Sequence, residues 1–455
     1  MRARLEALGR LIGSLPWDWL VLGLGIWLRL TFWTDHAHKS FDFTDHRLYI
    51  EWFQAHLELP PLDYSRSAYG PPLFYLLGGL LMRAGFDLQG VHHFAILLGI
   101  LRLCFFALIL RAWPGISRST RTIALLLAAV LPAAIHIDGM LNNESLSMLL
   151  CWAAVAFFRP LAISSGRRQL AIAAAVGGLI GLAFLTKFSA LMLVLTTVGL
   201  GVLAALFTSG GFGDRWREAR PYLLAALIAV SLSGWCYVRN VQRYGQPFPT
   251  TFEAEDARMM AHAKDLPIWE RRPLDFYYGW SPALLAVPHQ PSAAGHFWPN
   301  LVGATFSDYY LHRFSPVVPA GPTGARFAEP VLSLARLSVA SGFLVGLITA
   351  VSFGWLLLGA LRRRDLAVTG ALTVAALAIA GQLFFSIKYP VDAYGVTKGT
   401  YLQFGAAPLF VLYGLAFTWS WRRPWRWPLG LLMSGTLLAI TAYSVVSRWL
   451  EPLAG

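Results

Sequence analysis

Apolar stretches of about 18 to 22 residues, separated by short arginine-bearing breaks, recur along nearly the whole chain, and no other feature constrains its fold as strongly. At 1.5 Å of rise per residue, each stretch matches a hydrocarbon layer about 30 Å thick. Lipid offers no partner for a backbone N–H or C=O, so a spanning segment must satisfy them internally. The alternation of polar and apolar residues that a membrane barrel needs is absent, which leaves helices. Hydrophobic residues make up 56% of the 455 and charged residues 13%, a balance suited to a bilayer as solvent.

The formal charge of +13 suggests a nucleic-acid partner only until the basic residues are located. Much of the excess lies in six clusters between apolar stretches: Arg2/Arg4/Arg10, Arg111/Arg118/Arg121, Arg159/Arg167/Arg168, Arg215/Arg217/Arg220, Arg362/Arg363/Arg364 and Arg422/Arg423/Arg426. That is the positive-inside pattern, and no nucleic-acid partner is expected. With the N-terminus in the cytoplasm, about eleven spans are predicted: 17–34, 92–110, 122–138, 143–158, 169–186, 188–207, 221–238, 333–360, 366–387, 401–420 and 428–447. All six clusters then face inward. The apolar segment 71–85 is short for a span and would reverse every later cluster, so it is read as an interfacial or re-entrant helix. The first apolar run lacks a small-residue cleavage site after it and reads as a retained signal anchor. Cys104, Cys151 and Cys236 fall in or beside apolar segments, so they read as small core residues rather than a disulfide framework.

The chain is thus expected to be one polytopic domain with two large outer segments, 35–91 and 239–332. In the first, Asp42, Asp45, His46, Tyr49 and Glu51 follow the first span directly. A carboxylate at the membrane surface can accept a proton from an attacking hydroxyl or hold a divalent metal, and it can equally cap a helix. Asp138 and Glu144 lie at the outer mouth of the third and fourth spans, where ionisable groups face the bundle interior or water. Lys187 sits at the outer turn between two spans, placed either to bind a phosphate as a point charge or to snorkel to water. Arg239, Arg243, Lys388 and Lys398, with Tyr401, add outward cations suited to a lipid phosphate or to headgroups. The histidines His36, His38, His46, His56, His262, His289, His296 and His312 lack compact ligand spacing, so no metal ligands are assigned.

Taken in order, these stretches resemble the GT-C superfamily of membrane glycosyltransferases, in particular bacterial proteins similar to dolichyl-phosphate-mannose protein mannosyltransferases and lipid A aminoarabinose transferases. An acid, a spaced His and Tyr, and a Pro-Pro-Leu helix resemble Asp42, His46, Tyr49 and GPPLFYLL at 70–77. Four further motifs resemble NNESL at 142–146, GLAFLTK at 181–187, RNVQRYGQPFP at 239–249 and KGTYL at 398–402. The likeness runs from about residue 15 to 420, and in the large outer segment it rests only on FWPNLVGATFSDYY at 297–310.

The resemblance implies an all-α GT-C fold with juxtamembrane helices in the first outer loop. It implies transfer of a hexosyl or pentosyl group from a polyprenyl-phosphate donor to an envelope lipid, glycan or protein, at the outer face of a bacterial plasma membrane. No cofactor would be required, and a divalent metal is left open. Catalytic roles fall to Asp42, Asp45 and Glu144, and substrate contacts to His46, Tyr49, Tyr69, Lys187, Arg239, Arg243, Lys388, Lys398 and Tyr401. Many relatives carry Asp-Glu where this chain has Asp42-Phe43, so Asp42 and Asp45 both stay open as the base. A transporter or flippase of the same carrier is the competing reading. It would need polar residues deep in several spans; only Arg29 and Arg102 stand out within spans, and Arg29 lies near an outer end.

Overall fold

The computed structural model describes residues 16–35, 42–61, 64–65, 67–250, 263, 265–286, 288, 295–307, 318–320, 324–326, 329–390 and 396–449. Sixteen helices organise them. They are α1 (Trp17–Leu30), α2 (Phe43–Ala55), α3 (Leu73–Arg83), α4 (Leu88–Ala112), α5 (Arg118–Val130), α6 (Pro132–Asp138), α7 (Glu144–Ala156), α8 (Phe158–Ile163), α9 (Gly166–Phe184), α10 (Leu191–Phe207), α11 (Phe212–Tyr244), α12 (Phe297–Phe306), α13 (Glu329–Arg362), α14 (Leu366–Lys388), α15 (Ala407–Ser420) and α16 (Trp427–Trp449). Short one-turn helices fill some of the breaks, and Val318–Ala320 pairs antiparallel with Gly324–Arg326.

Local chemistry sets several starts and stops. Asp87, Ser117 and Asp365 each accept a backbone N–H from three residues on, opening α4, α5 and α14. Gly245 closes the 33-residue α11 in the left-handed conformation that favours glycine. Pro132 cannot continue α5, and the chain bends by 57° into α6. A second bend, of 81°, separates the 3-10 turn Gly399–Gly405 from α15.

Among the described residues, eight helices are long and apolar enough to cross a membrane, or up to ten if each bent pair is one span. The chain is a multi-pass membrane protein, and the eleventh expected span is the point of difference. That span, at 17–34, is a 14-residue helix: α1 ends at Leu30, the Thr31 hydroxyl donates to Leu28 O at 2.7 Å, and the chain continues in turns. The segment expected to be interfacial forms the 11-residue α3, about half of what a bilayer requires. It packs with α2 over a core of Tyr49, Ile50, Phe53, Phe74 and Tyr75.

The main core runs through α1, α4 to α11, α14 and α15. Helices in lipid gain little from apolar burial against one another, so they approach where small residues allow it. A Cβ at Gly177 of α9 would lie 2.6 Å from Ala225 O of α11. All three cysteines are free, with Cys151 and Cys236 buried and Cys104 half-buried, as expected of core residues.

Candidate functional site

The segments that carry the sequence motifs meet at one end of the bundle. Asn142 folds the α6–α7 connection on itself: its amide donates to Ile137 O and Met140 O, and its carbonyl oxygen accepts the Glu144 N–H at 2.7 Å. Asn143 then donates to Thr186 O at 2.9 Å, which fixes the C-terminal end of α9 beside α7. With the two backbones locked, the Lys187 ammonium pairs with the Glu144 carboxylate, their side chains 14% and 9% exposed. The Leu73 N–H opening α3 donates to Leu185 O, bringing the Pro-Pro helix to the same place.

The 3-10 turn after Lys398 supplies the next wall. Lys187 Nζ lies 4.7 Å from the centre of the Tyr401 ring and Lys398 Nζ 5.4 Å from it, so two ammonium groups flank one aromatic. Desolvation lowers the pKa of Lys398, while Asp42 and Glu144 raise it. An ammonium held in this way gains most from a further anion.

The α2–α3 hairpin closes the site from the loop side. His46 Nδ1 lies 2.9 Å from the Tyr75 hydroxyl, which also hydrogen-bonds the Ser67 side chain. Desolvation pushes His46 down to about 4, with Asp42 opposing it and Lys187 and Lys398 adding to it, so the ring is neutral at neutral pH. Tyr75 is pushed above the usual phenol range by desolvation first, with Asp42 and Glu144 adding to it. The charges of Asp42, Glu144, Lys187 and Lys398 therefore act on the same few groups. Asp42 precedes α2 in the left-handed region, at φ 49°.

The other expected residues are placed around this cluster. Asp45 lies half-buried in the first turn of α2, where a carboxylate complements the helix dipole. The Tyr49 hydroxyl donates to Gly70 O at 3.4 Å and its ring stacks on Tyr75. Tyr69 O accepts from Asn240 at 3.0 Å, and Arg239 donates to Pro60 O, so this Arg-Asn pair braces the first loop. Arg243 is exposed in the last turn of α11. Lys388 ends α14 with Nζ 4.9 Å from the Tyr389 ring, and its carbonyl accepts from Arg271. His36, His38, His262, His289 and His312 lie outside the described residues. His56 ends α2 against Trp52 and His296 precedes α12. Among the described residues no three His, Cys, Asp or Glu side chains gather in a group that could hold a metal ion.

The sequence reading passes over Tyr75, and it names Arg29, Arg102 and Asp138 without joining them. Tyr75 is hidden inside the apolar run of the Pro-Pro helix, with no spacing signal to separate it from core aromatics. The other three form a buried ion cluster: Asp138 accepts from Arg29 Nε at 2.7 Å and Arg102 at 2.5 Å, all three at most 1% exposed. The signal was present, because unlike charges inside apolar stretches must find one another.

Solved structures with a similar fold exist. The oligosaccharyltransferase AglB of Archaeoglobus fulgidus, in complex with an inhibitory peptide and a dolichol-phosphate, aligns with 95% of this chain and 56% of its own, at a TM-score of 0.51 and 14% identity. The same enzyme in complex with Zn and sulfate aligns with 93% of this chain and 53% of its own, at 0.52 and 14% identity. The fold is GT-C. This GT-C chain spans little more than half the length of those enzymes. Residues 69–237 match the family model of dolichyl-phosphate-mannose-protein mannosyltransferases, which takes in the Pro-Pro helix, the Asn-Asn-Glu motif and the Thr-Lys motif. ArnT of Cupriavidus metallidurans in the apo state aligns with 82% of this chain and 73% of its own at 16% identity and a TM-score of 0.36. No protein of curated function matches the sequence significantly.

Proposed function

We propose that this GT-C protein transfers a sugar from a polyprenyl-phosphate donor to a cell-envelope acceptor at the outer face of a bacterial plasma membrane, with its N-terminus in the cytoplasm. The observation that carries the reading is the meeting of two ammonium groups, Lys187 and Lys398, with the Glu144 carboxylate around Tyr401, where the first loop joins the bundle and the charge of Asp42 acts on Lys398. In either stereochemical course the bond between the anomeric carbon and the phosphate oxygen breaks, and its electron pair stays on the lipid phosphate. Lys187 and Lys398 match that growing charge with preorganised cations, the dominant source of rate in such a step. Asp42, or Asp45 one turn into α2, accepts the proton of the acceptor hydroxyl or amine. Glu144 holds Lys187 in place. His46, Tyr49, Tyr69 and Tyr401 shape the sugar and phosphate subsites, with Arg239, Arg243 and Lys388 toward the lipid headgroup region. No step is assigned to a metal.

A flippase reading would need polar groups lining a passage, and the buried Arg29, Asp138 and Arg102 are sealed from solvent. The deciding experiment adds purified protein to membranes of a strain lacking its gene, which hold unused donor and unmodified acceptor, and follows the glycosylated product by mass spectrometry. An Asp42→Asn, Asp45→Asn double variant should insert and fold yet form no product; retained transfer overturns the assignment of the base. Lys187→Met should lower the rate by about 10²- to 10³-fold, as loss of one preorganised donor does elsewhere.

A further inference from the structure

The ion cluster of α1, α4 and α6 reaches the site through one hydroxyl. Asp138 spends one carboxylate oxygen on Arg29 and Arg102, and its other oxygen accepts from Ser145 Oγ at 3.2 Å. Ser145 is fully buried and follows Glu144 directly, so this bond spans the connection that carries the Asn-Asn-Glu motif. The seat is built around the acid. Arg29 also donates to Gly25 O and Ala129 O, Arg102 lies 4.6 Å over the Trp152 ring, and a Cβ at Gly99 would fall 2.4 Å from Asp138 Cβ.

We propose that Asp138 and Ser145 are positioning residues that aim Glu144 at Lys187. The two guanidinium groups, from α1 and α4, hold one Asp138 oxygen and leave the other to the Ser145 hydroxyl, which also lies 3.4 Å from Ile137 O beside it. Tied to the end of α6 in this way, Ser145 fixes the first turn of α7 and the carboxylate it presents. The inference rests on the reading of Glu144 and Lys187 as working parts of the site.

Removing Asp138 would strand two buried guanidinium groups and could prevent folding. The test therefore uses Ser145→Ala, which leaves the ion cluster intact, in a double-mutant cycle with Glu144→Gln on the membrane assay described above. Ser145→Ala alone should lower turnover by about ten- to a hundredfold with an unchanged apparent KM for donor, the scale expected when a reacting group drifts by about 1 Å. Added to Glu144→Gln, it should lower turnover no further, because the residue it aims is already disabled. Full activity of Ser145→Ala, or an equal loss in both backgrounds, would overturn the inference while leaving the site reading intact. Full activity of Glu144→Gln would instead overturn the site reading, and the inference with it.

Discussion

At His46 desolvation and two nearby ammonium groups act in the same direction, and only Asp42 opposes them. The folded protein therefore binds this proton less tightly than the unfolded chain, whose imidazole titrates near 6.5. Stability is fully present above that value and is lost as pH falls from about 6.5 toward about 4. A melting curve followed through that window should drop more steeply for the wild type than for His46→Gln; parallel curves would remove His46 as the cause. The residues proposed for the site are legible because carboxylates and cations outside the spans are conspicuous against apolar sequence. Asp45 and Arg243 are legible in the same way, and the fold places one in the first turn of a helix and the other exposed at a helix end. Sequence registers that a charge exists, and only packing decides which charges share a space.

Among the elements, the α2–α3 hairpin is the most exacting. A Cβ at Gly79 of α3 would sit 2.4 Å from Phe53 Cβ and 2.7 Å from its carbonyl carbon, so the two helices touch backbone to side chain. Gly79→Ala should push α2 away and destabilise the protein by about 1–3 kcal/mol, as overpacking does. Because α2 carries His46 and follows Asp42, the same variant should also lower transfer; an unchanged melting temperature with full activity would contradict the packing. Hydropathy located the long helices well and α3 correctly as a short one. It took 122–138 and 401–420 as straight spans, although Pro132 forecast the first bend. The bend before α15 has its own mark, Pro408 at the start of that helix. Hydropathy also overestimated α1, since it does not register where a threonine turns the chain out of the helix.

For the molecule as a whole, the proposed topology places the arginine clusters and the site at opposite ends of the bundle. A single cysteine at Leu57, 63% exposed beside the first loop, should react with a membrane-impermeant maleimide on intact cells. One at Trp425, 71% exposed among the last arginines, should react only after permeabilisation; the reverse pattern would refute the orientation. Such labelling needs a background in which Cys104, Cys151 and Cys236 have been replaced. The buried ion cluster also has a temporal meaning. Arg29 leaves the ribosome more than a hundred residues ahead of the only carboxylate it contacts among the described residues, Asp138. An unmatched arginine in a span costs roughly 3 kcal/mol on translocon-insertion scales. The newborn first helix should therefore linger beside the translocon, waiting for its counter-ion to be synthesised, before it is released into lipid.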